Sequence, residues 1–159
     1  MDRPRFLADE MLGSLARWLR MIGYDTEYVR DLPDGEVLAL ARREGRTILT
    51  RDRQLAERAG DEGLLITGDD LDGQLGQVVS AFGLRADRRM TRCTICNGEL
   101  RLTPAGEVAG RVPERVLAIR DEIFVCQKCG QVYWKGTHWD DIGRRMERVL
   151  GPRSGNSPR

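Results

Sequence analysis

The chain has 159 residues, 40% of them hydrophobic and 32% charged, with a formal net charge of +1; this supports one medium or two small packed domains and excludes intrinsic disorder. No uncharged apolar window reaches the roughly 18 residues of a membrane span, and the charged start Met1-Asp2-Arg3-Pro4-Arg5 does not open a signal-peptide core, so a cytoplasmic protein with no membrane partner is expected. The near-zero charge hides an asymmetry, since residues 1–83 carry 11 Arg against 16 acids, net −5, and residues 84–159 carry 15 Lys and Arg against 9 acids, net +6.

Phe6-Leu7-Ala8 is a short apolar run ending at Asp9, and Met11, Leu12, Leu15, Ala16, Leu19 and Ile22 then recur at helical spacing until Gly23. Thr26 to Val29 has strand character, and Val37, Leu38, Leu40 and Ala41 mark a second helix closing at Gly45. Thr47-Ile48-Leu49 is a third strand, followed by a helix over Arg53 to Ala59. Leu64-Leu65-Ile66 is a fourth strand, and Leu71 to Phe82 a fourth helix. Four strand-helix alternations within 83 residues predict an α/β domain with a parallel sheet.

After Gly83 the texture changes. Residues 84–92 read as a basic connector, 93–137 as short strands around two Cys-x-x-Cys knuckles, 138–150 as a closing helix and 151–159 as a disordered tail. The predicted layout is an acidic domain over 1–83 and a small basic unit after it. An acidic half suits cation capture and a basic half a polyanion. Arginine outnumbers lysine heavily, which suits phosphate recognition, although a coding bias produces the same composition.

Cys93, Cys96, Cys126 and Cys129 supply four thiolates from two tight turns, with Gly98 and Gly130 providing backbone freedom. A signal-free chain of this kind favours a metal over disulfides. Four sulfurs suit a closed, structural Zn²⁺ site in a zinc ribbon; iron accepts the same ligands, and two separate redox dithiols are the other option.

In a parallel sheet the functional crevice lies beyond the C-terminal ends of the strands. Asp9 follows strand one, Asp31, Asp34 and Glu36 follow strand two, Asp52 follows strand three, and Asp69 and Asp70 follow strand four. Carboxylates gathered at one edge repel one another unless a cation lies between them, and oxygen ligands select Mg²⁺ or Mn²⁺. Each acid has a plain structural alternative: Asp9, Asp52 and Asp70 precede helices and could be N-caps, and Asp34-Gly35 reads as a turn.

Phe6 to Asp9, the run Gly13 to Tyr24, Asp31 to Glu36 and Ile48 to Ala56 with its Thr-x-Asp resemble a PIN-like nuclease domain. Together with the knuckles, Ala109 to Pro113 and Tyr133 to Trp139, the chain is similar, over about residues 5–140, to the ribonuclease family named after the C-terminal domain of the mutator-seven exonuclease. The resemblance implies a three-layer PIN-like domain followed by a Cys₄ zinc ribbon, and RNA cleavage dependent on Mg²⁺ or Mn²⁺. Asp9 and Asp52 match the first acid and the Thr-x-Asp acid, Asp34 or Glu36 the middle acid, and Asp69 or Asp70 the fourth. RNA is the implied partner.

On this reading Asp9, Asp52 and one of Asp34 or Glu36 hold one or two divalent ions for in-line hydrolysis. Arg17, Arg20, Arg51 and Arg53 would sit at the rim, with Arg88, Arg89, Arg92, Arg101 and Lys135 added by the second half. Trp134, His138 and Trp139 either stack bases or cover a small core. The competing expectation is a non-catalytic RNA- or protein-binding module whose acids are caps.

Overall fold

The computed structural model describes residues 3–86, 90–119 and 122–150. Arg88, Arg89 and the tail 151–159 lie outside the described residues, as does the side chain of His138.

The first four strands, β1 (Phe6–Ala8), β2 (Thr26–Tyr28), β3 (Thr47–Thr50) and β4 (Gly63–Leu65), alternate with α1 (Gly13–Met21), α2 (Asp34–Glu44), α3 (Arg53–Ala59) and α4 (Leu71–Phe82). They form one parallel sheet in the order β2-β1-β3-β4. The parallel α/β sheet expected from the alternation is present. Its fourth strand begins one residue earlier than the apolar run suggested, because Ile48 pairs with Gly63.

β1 lies between two strands and is buried along its whole length, which is why it reads as continuous Phe-Leu-Ala rather than as an alternating pattern. Phe6 and Ala8 face a core shared with Leu15 and Leu19 of α1 and Leu75 and Val78 of α4. Leu7 faces the opposite way, toward Val37 and Ala41 of α2 and Leu55 and Ala59 of α3. The sheet is therefore the middle of three layers, and each fully buried Leu contributes about 1.5–3 kcal/mol.

The chain then forms β5 (Leu100–Thr103), α5 (Glu114–Ile119), β6 (Ile123–Cys126), β7 (Val132–Trp134) and α6 (Thr137–Leu150). β5, β6 and β7 make an antiparallel sheet, packed on Val108, Val112 and Val116. The periodicity did not show α5.

The closing helix returns to the first sheet. Ile142 and Met146 of α6 are buried in the core that holds Phe6 and Leu15. Arg145 and Arg148 pair with Asp72 of α4 at 3.1 and 3.2 Å, and the Arg145 guanidinium lies 4.9 Å from the centre of the Trp18 ring. None of the described helices is long and apolar enough to cross a membrane.

Candidate active site and metal centre

Strand order reverses around β1, since β2 lies on one side and β3 on the other. Such a switch point opens a crevice at the C-terminal strand ends, because the connections leave on opposite faces. Asp9 and Thr50 stand at this point, directly after β1 and at the end of β3.

Thr50 is fully buried. Its hydroxyl accepts from the Asp52 amide at 2.9 Å and donates to Asp9 Oδ2. Asp9 Oδ1 is buried and has no hydrogen-bond partner. Burial raises the Asp9 carboxyl above its ordinary value; the Thr50 hydrogen bond and the nearby Met11 amide oppose this, and the charges of Asp52 and Glu10 add to it. A carboxylate with an orphaned buried oxygen and acidic neighbours gains most from a cation.

The three acids that could have been N-caps divide. Asp52 Oδ1 accepts from the Gln54 and Leu55 amides at 2.9 and 3.3 Å and caps α3. Asp70 Oδ1 accepts from the Gly73 amide at 2.8 Å and caps α4. Asp9 makes no side-chain cap bond to the turn it opens.

The other expected acids are not drawn into one cluster. Asp34 lies 3.8 Å from Arg58, Glu36 is exposed in the first turn of α2, and Asp69 is exposed and 3.5 Å from Arg51. Among the described residues, only the cysteines bring three or more metal-ligand atoms within 4.8 Å of one another. Glu10 was not anticipated at this edge. Its carboxylate accepts from the amide of Asp31 at 3.2 Å and supports that residue in the left-handed region, with φ 58°; the only sequence signal was a second acid after Asp9.

The arginines also separate. Arg17 and Arg53 are exposed. Arg51 donates to the Gly68 carbonyl and pairs with Asp69, and Arg92 pairs with Asp25 at 3.5 Å. Arg20 is buried; it donates to the carbonyls of Thr26, Thr94 and Ile95 at 2.8, 2.9 and 3.3 Å. Arg20 thus stands away from the rim and ties α1 and β2 to the first knuckle.

All four cysteine sulfurs lie within 4.8 Å of one another, with Cys93 to Cys129 at 3.7 Å and Cys96 to Cys126 at 3.4 Å. Tetrahedral zinc with bonds of about 2.3 Å requires sulfurs about 3.8 Å apart, so the group could bind zinc. Burial raises the Cys126 thiol, but the Cys129 and Lys128 amides and the adjacent sulfurs outweigh it and bring the thiol down to about 7.

Gly98 is needed for space: a Cβ there would stand 2.8 Å from Cys126 Sγ. The left-handed residue of that knuckle is Asn97, at φ 70°, while Gly130 takes φ 83° in the second. Tyr133 was not anticipated as a partner of the sulfurs. Its phenol is 3.0 Å from Cys93 Sγ and accepts from the Thr94 amide at 3.1 Å.

Asn97 also covers the free edge of β2. Its Oδ1 accepts from the Thr26 amide at 3.0 Å and its Nδ2 donates to Asp25 Oδ1 at 2.6 Å. A cleft of about 700 Å³ adjoins this contact, lined by Arg5, Asp25, Arg46 and Lys128 among others. It opens at the N-terminal ends of the strands, away from Asp9.

An α/β protein with a half-buried carboxylate at its switch point and a four-cysteine centre docked against α1 and β2 is the class these features define. A family model described as Mut7-C RNAse domain matches residues 4–146, and the chain belongs to that family. The match spans both sheets and most of α6, and it carries a nuclease-type function. Comparison with curated proteins and with solved structures gives no match.

Proposed function

We propose that the protein is a ribonuclease dependent on Mg²⁺ or Mn²⁺, with a PIN-like nuclease unit over residues 1–83, a connector over 84–92, a zinc ribbon over 93–137 and a closing helix over 138–150. The observation that carries this reading is Asp9 Oδ1, buried and without a partner at the switch point of the sheet. A hard divalent cation fits an all-oxygen donor set of this kind.

Asp9 and Asp52 would hold the cation, with Asp34 or Glu36, and Asp69 or Asp70, as the further acids at the same edge. A bound divalent cation supplies charge that orients water and offsets the negative charge developing on the phosphate. Thr50 fixes the Asp9 carboxylate by donating to Oδ2 and leaves Oδ1 without a partner, so Oδ1 is the oxygen that would hold the cation. Asp52 uses Oδ1 to cap α3, which sets the direction of its other oxygen. Arg17, Arg53 and Arg51 supply phosphate contacts at the rim, and Arg92 extends them toward the ribbon. The zinc would be structural, since four sulfurs leave no position for substrate.

The alternative is a non-catalytic binding module, favoured by the capping roles of Asp52 and Asp70. Titration of Mn²⁺ into zinc-loaded protein, followed by electron paramagnetic resonance of the free ion, separates the two. The nuclease reading requires saturable Mn²⁺ binding that Asp9→Asn removes. Equal binding by wild type and variant would favour the module.

A further inference from the structure

Two cavities run along α1 and meet. One, of about 490 Å³, is lined by Gly13, Ser14, Arg17, Tyr28 and Ile95 among others. The other, of about 230 Å³, is lined by Arg17, Met21, Tyr133, Trp134, Trp139 and Ile142 among others. Arg17 and Thr94 belong to both, so the two form one groove between α1 and the first cysteine knuckle.

The charge of this groove is one-sided. The chain has 25 acids, yet none is among the described residues lining either cavity, whereas arginines line both. The cleft at the other end of the strands carries Asp25, Glu27, Glu44 and Glu99 beside its cations. Arg17 is exposed and makes no ion pair or hydrogen bond with a described residue.

The far end of the groove is aromatic. The Tyr133 phenol is fixed by Cys93 and Thr94, and Lys135 Nζ lies 5.2 Å from the centre of the Trp139 ring. The near end begins at Gly13, four residues after Asp9. From Gly13 to Met21 the helix rises about 12 Å at about 1.5 Å per residue, the length of about three stacked nucleotides at about 3.4 Å each.

We propose that this groove binds single-stranded RNA leading from Asp9, with the backbone against Arg17 and one unpaired base in the apolar cavity beside Tyr133, Trp134 and Trp139. It rests on the ribonuclease reading for the position of the scissile bond and adds the substrate class. A polyanion with flat apolar faces matches a groove whose described lining holds no acid, offers the exposed Arg17 where its two parts meet and is aromatic at its end. A duplex cannot place a base there without unpairing it, so single strands bind more tightly.

The test uses full-length, zinc-loaded Asp9→Asn protein, so that binding is read without cleavage, and a fluorescent single-stranded oligouridylate followed by anisotropy. Arg17→Glu should weaken binding about tenfold, whereas the same charge change at Arg43, which lines the opposite cleft, should change it less than about twofold. Tryptophan fluorescence should be quenched as RNA binds, and the duplex form should bind about tenfold more weakly or worse. Equal weakening by Arg17→Glu and Arg43→Glu, equal affinity for duplex, displacement by a glutamate-rich peptide, or no RNA binding overturns the proposal. RNA binding with the expected Arg17 dependence, together with no cleavage by wild type in Mn²⁺, sustains the groove and removes the ribonuclease reading.

Discussion

Thr50 donates its hydroxyl hydrogen to Asp9 Oδ2 while accepting from the backbone amide of Asp52. One buried hydroxyl thus joins the ends of β1 and β3 and leaves Asp9 Oδ1 as the oxygen without a partner. Thr50→Val keeps the shape of the side chain and removes this donor. It should lower divalent-ion affinity or RNA cleavage by about 10–100-fold, as for other supporting hydrogen bonds at metal sites, with measured zinc content unchanged.

The raised Asp9 carboxyl has a consequence for stability. Burial, with Asp52 and Glu10 nearby, makes the folded state hold this proton more tightly than the unfolded state does. With a folded value above the unfolded one, the cation-free protein gains stability as pH falls through the folded value and loses it as pH rises. Asp9→Asn should therefore raise Tm at neutral pH without Mg²⁺ or Mn²⁺, and Mn²⁺ should raise Tm for wild type only. Differential scanning fluorimetry checks both. A lower Tm for the variant would mean that Asp9 is structural.

Tyr133 presents its hydroxyl to Cys93 Sγ at 3.0 Å. Burial first, and the Cys93 sulfur with it, push the phenol up to about 12, which keeps it a protonated donor. Tyr133→Phe should weaken zinc binding by about 10–100-fold in competition with a chromophoric chelator. Gly98→Ala should be more damaging, because the added Cβ meets Cys126 Sγ and Lys128 Cβ at 2.8 Å each.

Arg20 joins the two halves through three carbonyls. Arg20→Met removes a charged donor and leaves buried acceptors unmet, at a cost of about 1.5–3 kcal/mol per lost charged hydrogen bond. Urea unfolding should show that loss, and amide exchange should rise first around Thr94 and Ile95. Arg17→Met on the same helix, at an exposed position, should leave the urea midpoint nearly unchanged.

This pair shows what was legible in the sequence and what was not. Arg17 and Arg20 look alike in a helix that follows an acid, and only the docking of the first knuckle turns one into a buried tie. The strand-helix alternation, the four acidic strand exits and the two knuckles were all legible, because each rests on local spacing. The order β2-β1-β3-β4 was not, since it depends on which strands pair at long range. Nor could periodicity show that Ile142 and Met146 of α6 complete the core around Phe6 and Leu15. The capping acids Asp52 and Asp70 became distinguishable from Asp9 only once side-chain partners were known.

The most direct test of the central claim is single-turnover cleavage of end-labelled RNA by zinc-loaded protein, with and without Mn²⁺, for wild type and Asp9→Asn. The account predicts Mn²⁺-dependent cleavage by wild type and a loss in the variant larger than the roughly 10–100-fold expected for a supporting residue. Cleavage that persists in Asp9→Asn, or wild-type protein that cleaves neither single-stranded nor structured RNA, would contradict it.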